Sequence, residues 1–126
     1  EGLEEKVLQL VRQYKLEKRV IFSSFNHYSI VKLKQLAPEI ERAVLYMEGL
    51  YKPWEYAKWV GAQSIHPYIY AAPSEIIIES QANGIYVRPF TVNDEQVMQR
   101  LFAENCAAFF TDYPKKAVQL KKSLKI

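Results

Sequence analysis

The chain has 126 residues, enough for one domain but well short of the roughly 250 that a complete (β/α)8 barrel takes. Its composition, 49% hydrophobic and 25% charged, is that of an ordinary globular protein with a packed core, which excludes a wholly disordered or collagen-like chain. The formal charge of +3 draws on lysines crowded into the last dozen residues, where they complement a helix dipole, so nucleic-acid binding is not expected.

Leu3, Val7, Leu10, Val11 and Tyr14 recur every three or four residues with charged and amide side chains between them, which predicts an amphipathic first helix. Val20 to Phe25 reads as a first buried strand, and Asn26 as the cap of a helix from His27 to Leu36. Arg42 to Met47 is a second strand, ending at Glu48-Gly49. Pro53 opens a short helix that Gly61 ends.

Ser64 to Tyr68 makes a very short third strand, and Pro73-Ser74 opens a helix that closes at Asn83-Gly84, a pairing suited to a left-handed cap. The strand containing Phe90 follows. Asn93 is expected to cap a helix from Asp94 to about Glu104, Ala107 to Thr111 to form a fifth strand, and Pro114 to start the last helix. Cys106, the single cysteine, cannot form an intramolecular disulfide and reads as a small buried hydrophobe. No run approaches the ~20 apolar residues of a membrane helix, and the chain starts within a helix pattern rather than a signal peptide. A cytoplasmic protein with no membrane span is expected.

This alternation of helix and strand with short connections predicts an α/β fold with a parallel sheet and helices outside it. Two closures fit: a doubly wound open sheet of five strands, or part of a barrel. The four glycines, Gly2, Gly49, Gly61 and Gly84, make no Gly-rich nucleotide loop, which disfavours nucleotide-binding open sheets. In either closure function belongs at the C-terminal ends of the strands.

Three of those ends carry distinctive residues: Ser23-Ser24-Phe25 with Asn26-His27, Pro89-Phe90-Thr91-Val92-Asn93, and Thr111-Asp112-Tyr113-Pro114. In order and spacing they resemble the glycerophosphodiester phosphodiesterases. The resemblance covers essentially the whole chain and corresponds to the C-terminal part of that family's (β/α)8 barrel, about five β/α units forming one partial domain. It implies metal-dependent hydrolysis of glycerophosphodiesters to glycerol 3-phosphate and an alcohol, with a divalent ion, Mg or Ca. In that family the catalytic His residues and the metal-binding carboxylates belong to the N-terminal half, so the resemblance places no catalytic residue and no metal ligand in this chain. The strand ends agree, offering Glu48 and Asp112 but no D-x-D or E-x-D pair. Alone, the chain is expected to be inactive.

Six residues are candidates for contact with a small-molecule substrate: Phe25, Tyr46, Glu48, His66, Arg88 and Phe90. Phe90 stands where the family usually has Trp, and forms either an apolar pocket wall or a core contact. His66, followed by Pro67, either binds substrate or transfers a proton, or is hydrogen-bonded within the rim. Arg88 shares a strand face with Phe90, and either reaches a phosphate, pairs with an interior carboxylate such as Glu48, or extends to the barrel bottom. Tyr46 and Glu48 share a face and are expected at the pocket mouth. His27 reads as a rim or capping residue, and Asp112 as an acceptor of backbone N–H bonds or a cap of the last helix.

Ser23 and Ser24 lack the strained G-x-S-x-G setting of a nucleophile. Trp54, Trp59, Tyr51 and Tyr56 either pack against the barrel or contact another chain. A half-barrel leaves sheet edges and an apolar interior that call for the missing N-terminal half or a second copy of the chain. A non-catalytic α/β binding or assembly module on the same fold is the competing reading.

Overall fold

The computed structural model describes residues 2–125. Helix α1 (Leu3–Gln13) is followed by β1 (Phe22–Ser24), α2 (His27–Leu36), β2 (Arg42–Tyr46), α3 (Pro53–Val60) and β3 (Ser64–Pro67). A 3-10 turn (Ile69–Ala71), α4 (Ser74–Ala82), β4 (Tyr86–Val87), α5 (Glu95–Ala103) and α6 (Pro114–Ser123) complete the chain. The four strands form one parallel sheet in the order β1-β2-β3-β4, the arrangement that successive right-handed β/α crossovers build.

The helix boundaries follow local chemistry. Asn26 accepts the Tyr28 amide at 3.1 Å through its side chain, satisfying one of the orphan donors at the start of α2. Replacing Asn26 with Ala is expected to lower stability by about 1 kcal/mol, read as a shift in the denaturation midpoint. Gly61 ends α3 at φ +82, a left-handed conformation that a side chain resists. Asn105 takes the same region at φ 54 just past α5.

Three expected features are corrected. Asp94, not Asn93, caps α5: its Oδ1 accepts the amides of Gln96 and Val97 at 2.8 and 3.1 Å. Asn93 instead ties two loops together, accepting the Asp112 amide at 3.0 Å and donating to the Asp112 carboxylate at 2.9 Å. That use of Asp112 replaces its expected role as cap of α6, which begins after Tyr113 without a side-chain cap. The run 107–111 is also not a regular strand. It joins the sheet through Phe110 alone, whose amide donates to Pro89 O at 3.0 Å and whose carbonyl accepts from Val92 at 2.8 Å.

The two sheet faces differ in what covers them. Val44, Ile65 and Val87 lie side by side across the register and are fully buried, packed with Ile30, Ala57 and Ile77 from the helices. Alternation then places Ser23, Ala43, Leu45, Ser64 and His66 on the other face. That face is open, with exposed Ile21, Phe25, Tyr86 and Phe110 along it and a hollow of about 390 Å³ at Ser23, His66 and Arg88. Among the described residues, no helix is long and apolar enough to cross a membrane.

Candidate functional site

A polar network runs across the open face beneath the strand ends. Arg88 Nη1 lies 2.8 Å from Glu41 Oε2 and 3.3 Å from His66 Nε2. Ser64 donates to the same Glu41 oxygen at 2.9 Å, and Ser23 Oγ is 2.8 Å from His66 Nδ1. Because a guanidinium can only donate, His66 Nε2 must be the accepting nitrogen. The ring proton therefore sits on Nδ1 and is donated to Ser23. His66 is 2% exposed; burial, reinforced by the Arg88 charge and opposed by Glu41, pushes its pKa down to about 4. It is a neutral, fully engaged ring rather than a free proton carrier.

The network answers the alternatives left open for Arg88. Its carboxylate partner is Glu41, which lies just before β2, rather than Glu48. Glu48 is exposed in the loop after β2, too far along the strand to share that layer. Sequence spacing offers no signal for Glu41, since its proximity to Arg88 depends on the parallel register of β2, β3 and β4.

Tyr46 is also corrected. It shares the strand face of Val44, which is the helix-facing one, and it is buried among Trp54, Ala57, Val60 and Ile65. Its hydroxyl is buried without a hydrogen-bond partner, and burial raises its pKa. It therefore cannot line a pocket mouth. His27 lies on the rim, its Nε2 donating to Leu45 O at 2.7 Å and its Nδ1 2.7 Å from the Tyr56 hydroxyl. It satisfies a strand-end carbonyl that the three-residue β1 is too short to reach. Cys106 is partly buried, and burial pushes its thiol up to about 11, so it holds no thiolate at neutral pH.

At the strand ends, the chain brings four aromatic rings together. Phe25, one residue past β1, meets Phe90 edge to face at 5.9 Å. Phe90 is held beside Tyr68 by a parallel bridge, with ring centroids 6.0 Å apart. Tyr68 in turn meets Tyr70 at 5.3 Å. Neither tyrosine was among the sequence candidates; their spacing of two just after the His66-Pro67 strand end was the available signal. Beside these rings lies a cleft of about 420 Å³, lined also by Asn93, Asp94 and Val97. Of the six candidates, Phe25 and Phe90 thus meet at the rim, His66 and Arg88 meet in the layer below, and Tyr46 and Glu48 lie apart from both. Among the described residues, no group of three His, Cys, Asp or Glu side chains is placed to hold a metal ion.

Residues 2–116 match the Glycerophosphoryl diester phosphodiesterase family. The chain belongs to this family. A glycerophosphodiester phosphodiesterase of Caldanaerobacter subterraneus is 35% identical over 119 residues, a match covering 94% of this chain and 49% of that protein. The fold superimposes on a crystal structure of a glycerophosphodiester phosphodiesterase from Parabacteroides distasonis with a TM-score of 0.86 at 22% identity, over 98% of this chain and 51% of the other. A phosphodiesterase from Oleispira antarctica, solved with the product sn-glycerol-3-phosphate, gives a TM-score of 0.79 at 27% identity over 96% of this chain and 51% of its own. The chain spans about half the length of the curated relatives it matches. Its four-stranded parallel sheet is accordingly part of a (β/α) barrel of the phosphodiesterase type.

Proposed function

We propose that this chain is the C-terminal half of a barrel whose whole protein hydrolyses glycerophosphodiesters to glycerol 3-phosphate and an alcohol. The observation that carries the reading is the aromatic rim of Phe25, Phe90 and Tyr68 at the C-terminal strand ends, the face on which parallel barrels bind their ligands. Family membership and the glycerol phosphate bound in the Oleispira relative support it. In this reading Phe25 and Phe90 form the apolar wall against which the glycerol phosphate lies. Arg88 and His66 hold the layer beneath that wall, since Glu41, Ser23 and each other already occupy their polar atoms.

Hydrolysis of a phosphodiester needs a proton donor for the departing alkoxide, a base for water, and positive charge at the phosphate. Among the described residues, the strand ends offer no free set of such groups. Glu48 stands alone in its loop, Asp112 is taken by Asn93, and Glu41 by Arg88 and Ser64. These acids do not fit together as ligands of a metal. A divalent ion, Mg or Ca, therefore belongs to the proposal for the whole protein, with its ligands and the catalytic groups supplied by the N-terminal half. A cytoplasmic location, where deacylated lipid head groups would be its substrates, is part of the same proposal.

Release of glycerol 3-phosphate from glycerophosphocholine, followed with and without added Mg²⁺ or Ca²⁺, tests the reading. The whole protein is expected to turn over and residues 1–126 alone to be inactive. Absence of turnover by the whole protein would leave the non-catalytic module as the surviving reading.

A further inference from the structure

The cleft beside the aromatic rim has a composition that selects for one kind of ligand. One wall is aromatic: Tyr68, Tyr70 and Phe90 stand within 6.0 Å of a neighbouring ring. The 3-10 turn after β3 brings Tyr68, Ile69 and Tyr70 to this wall, with Ile69 also packing partly against the core. Tyr70 is 84% exposed, so burial does not account for its place there. Asp94 is the one charged residue in the lining, and among the described residues no Lys, Arg or His lines the cleft.

An anion is the wrong occupant. The amides of Gln96 and Val97 at the start of α5 would favour one, but Asp94 Oδ1 already takes both. What remains is aromatic surface with a negative side chain and no positive one. Ring faces attract cations through their quadrupoles, most effectively when the cation is weakly hydrated, and a carboxylate adds to that attraction. A phosphate does not belong here, whereas an alkylated ammonium does.

We infer that this cleft receives the alcohol portion of the substrate and selects glycerophosphodiesters whose alcohol carries a quaternary ammonium. The inference rests on the phosphodiesterase reading above and deepens it. Phe90 and Tyr68 border both regions, so a diester whose glycerol phosphate lies against Phe25 and Phe90 places its alcohol toward Tyr70 and Asp94. Tyr68, Tyr70 and Asp94 are then specificity residues that touch the leaving group and take no part in proton transfer.

The test compares kcat/KM of the whole protein for glycerophosphocholine and for the uncharged glycerophosphoglycerol. Two variants are informative. Tyr70→Leu alters an exposed side chain, and Asp94→Asn removes the charge while keeping an acceptor that caps α5 equally well. Each is expected to lower the ratio of the two kcat/KM values by about five- to tenfold, mainly through KM for the choline substrate. Unchanged thermal unfolding of Asp94→Asn would show that the cap survives. Turnover of both substrates with the same ratio in wild type and variants overturns the head-group assignment and leaves the phosphodiesterase intact. Failure to hydrolyse either substrate overturns both.

Discussion

Replacing Arg42 with Met is expected to destabilise the protein by about 3–5 kcal/mol, because several buried carbonyls lose their donor at once. Arg42 opens β2 and is 2% exposed, and its head group is satisfied by carbonyls. Nη1 donates to Ile40 O at 2.6 Å, Pro38 O at 3.2 Å and Ala37 O at 3.3 Å, while Nε donates to Gly61 O at 3.0 Å. Two of these acceptors are the residues that end helices, Ala37 after α2 and Gly61 after α3. Helix ends carry carbonyls with no intrahelical partner. One guanidinium thus fastens two helix ends to the first residue of the strand between them.

Burial lowers the pKa of Arg42, as expected for a charge removed from water. Met reproduces the aliphatic stem of Arg42 but not its guanidinium, so the loss it causes combines the missing hydrogen bonds with the space the head group vacates. Lys keeps the charge but presents one compact donor group instead of a planar fork. Arg42→Lys is therefore expected to fall between wild type and Arg42→Met. Chemical denaturation of the three proteins reads the order directly. An Arg42→Met midpoint within about 1 kcal/mol of wild type would show that water replaces the donor at little cost.

The sequence made the helices legible and left the layer inside the sheet obscure. Asn26, Pro53, Gly61, Asn105 and Pro114 act within their own turn, so their chemistry marks boundaries without knowledge of the fold. Asn93 and Asp94 show where this reasoning fails. Both are good caps by type, and the choice fell to Asp94 because Asn93 is claimed by Asp112, 19 residues away. The run 107–111 has a strand's composition, yet it pairs through Phe110 alone.

The candidate site divides in the same way. Phe25 and Phe90 were recognisable from strand ends and family resemblance, and they do meet. Tyr46 was misplaced because alternation fixes which residues share a face and leaves open which face looks outward. Only the packing of Val44 and Ile65 beneath α2, α3 and α4 decides that Tyr46 points toward the helices. Glu41 and Arg42 were missed for a related reason. Their partners are brought in by register and by helix ends, neither of which leaves a trace in local spacing.

Acid should destabilise the fold through His66 in particular. Its folded pKa is about 4, against an ordinary value of roughly 6.5, so the folded state favours the neutral ring. The sign follows from proton binding: between these two values the unfolded chain takes up a proton that the folded one refuses. His66 thus contributes its full stability above about pH 6.5 and loses it as pH falls toward 4, at about 1.4 kcal/mol per pH unit and about 3 kcal/mol in all. Protonation would force a second donor onto Nε2, which already faces the Arg88 guanidinium at 3.3 Å. Ser23, Glu41 and Phe110 are the other groups facing the layer, and the one negative charge among them, Glu41, is engaged by Arg88 and Ser64. In His66→Gln, an amide can accept from Arg88 and donate to Ser23 without titrating. The variant is therefore expected to show a flatter stability profile between pH 6.5 and 4 in denaturation series measured at each pH. A wild-type ring that titrates near 6.5 by NMR, or a variant with the same acid slope as wild type, would show that burial beside Arg88 does not hold the ring neutral.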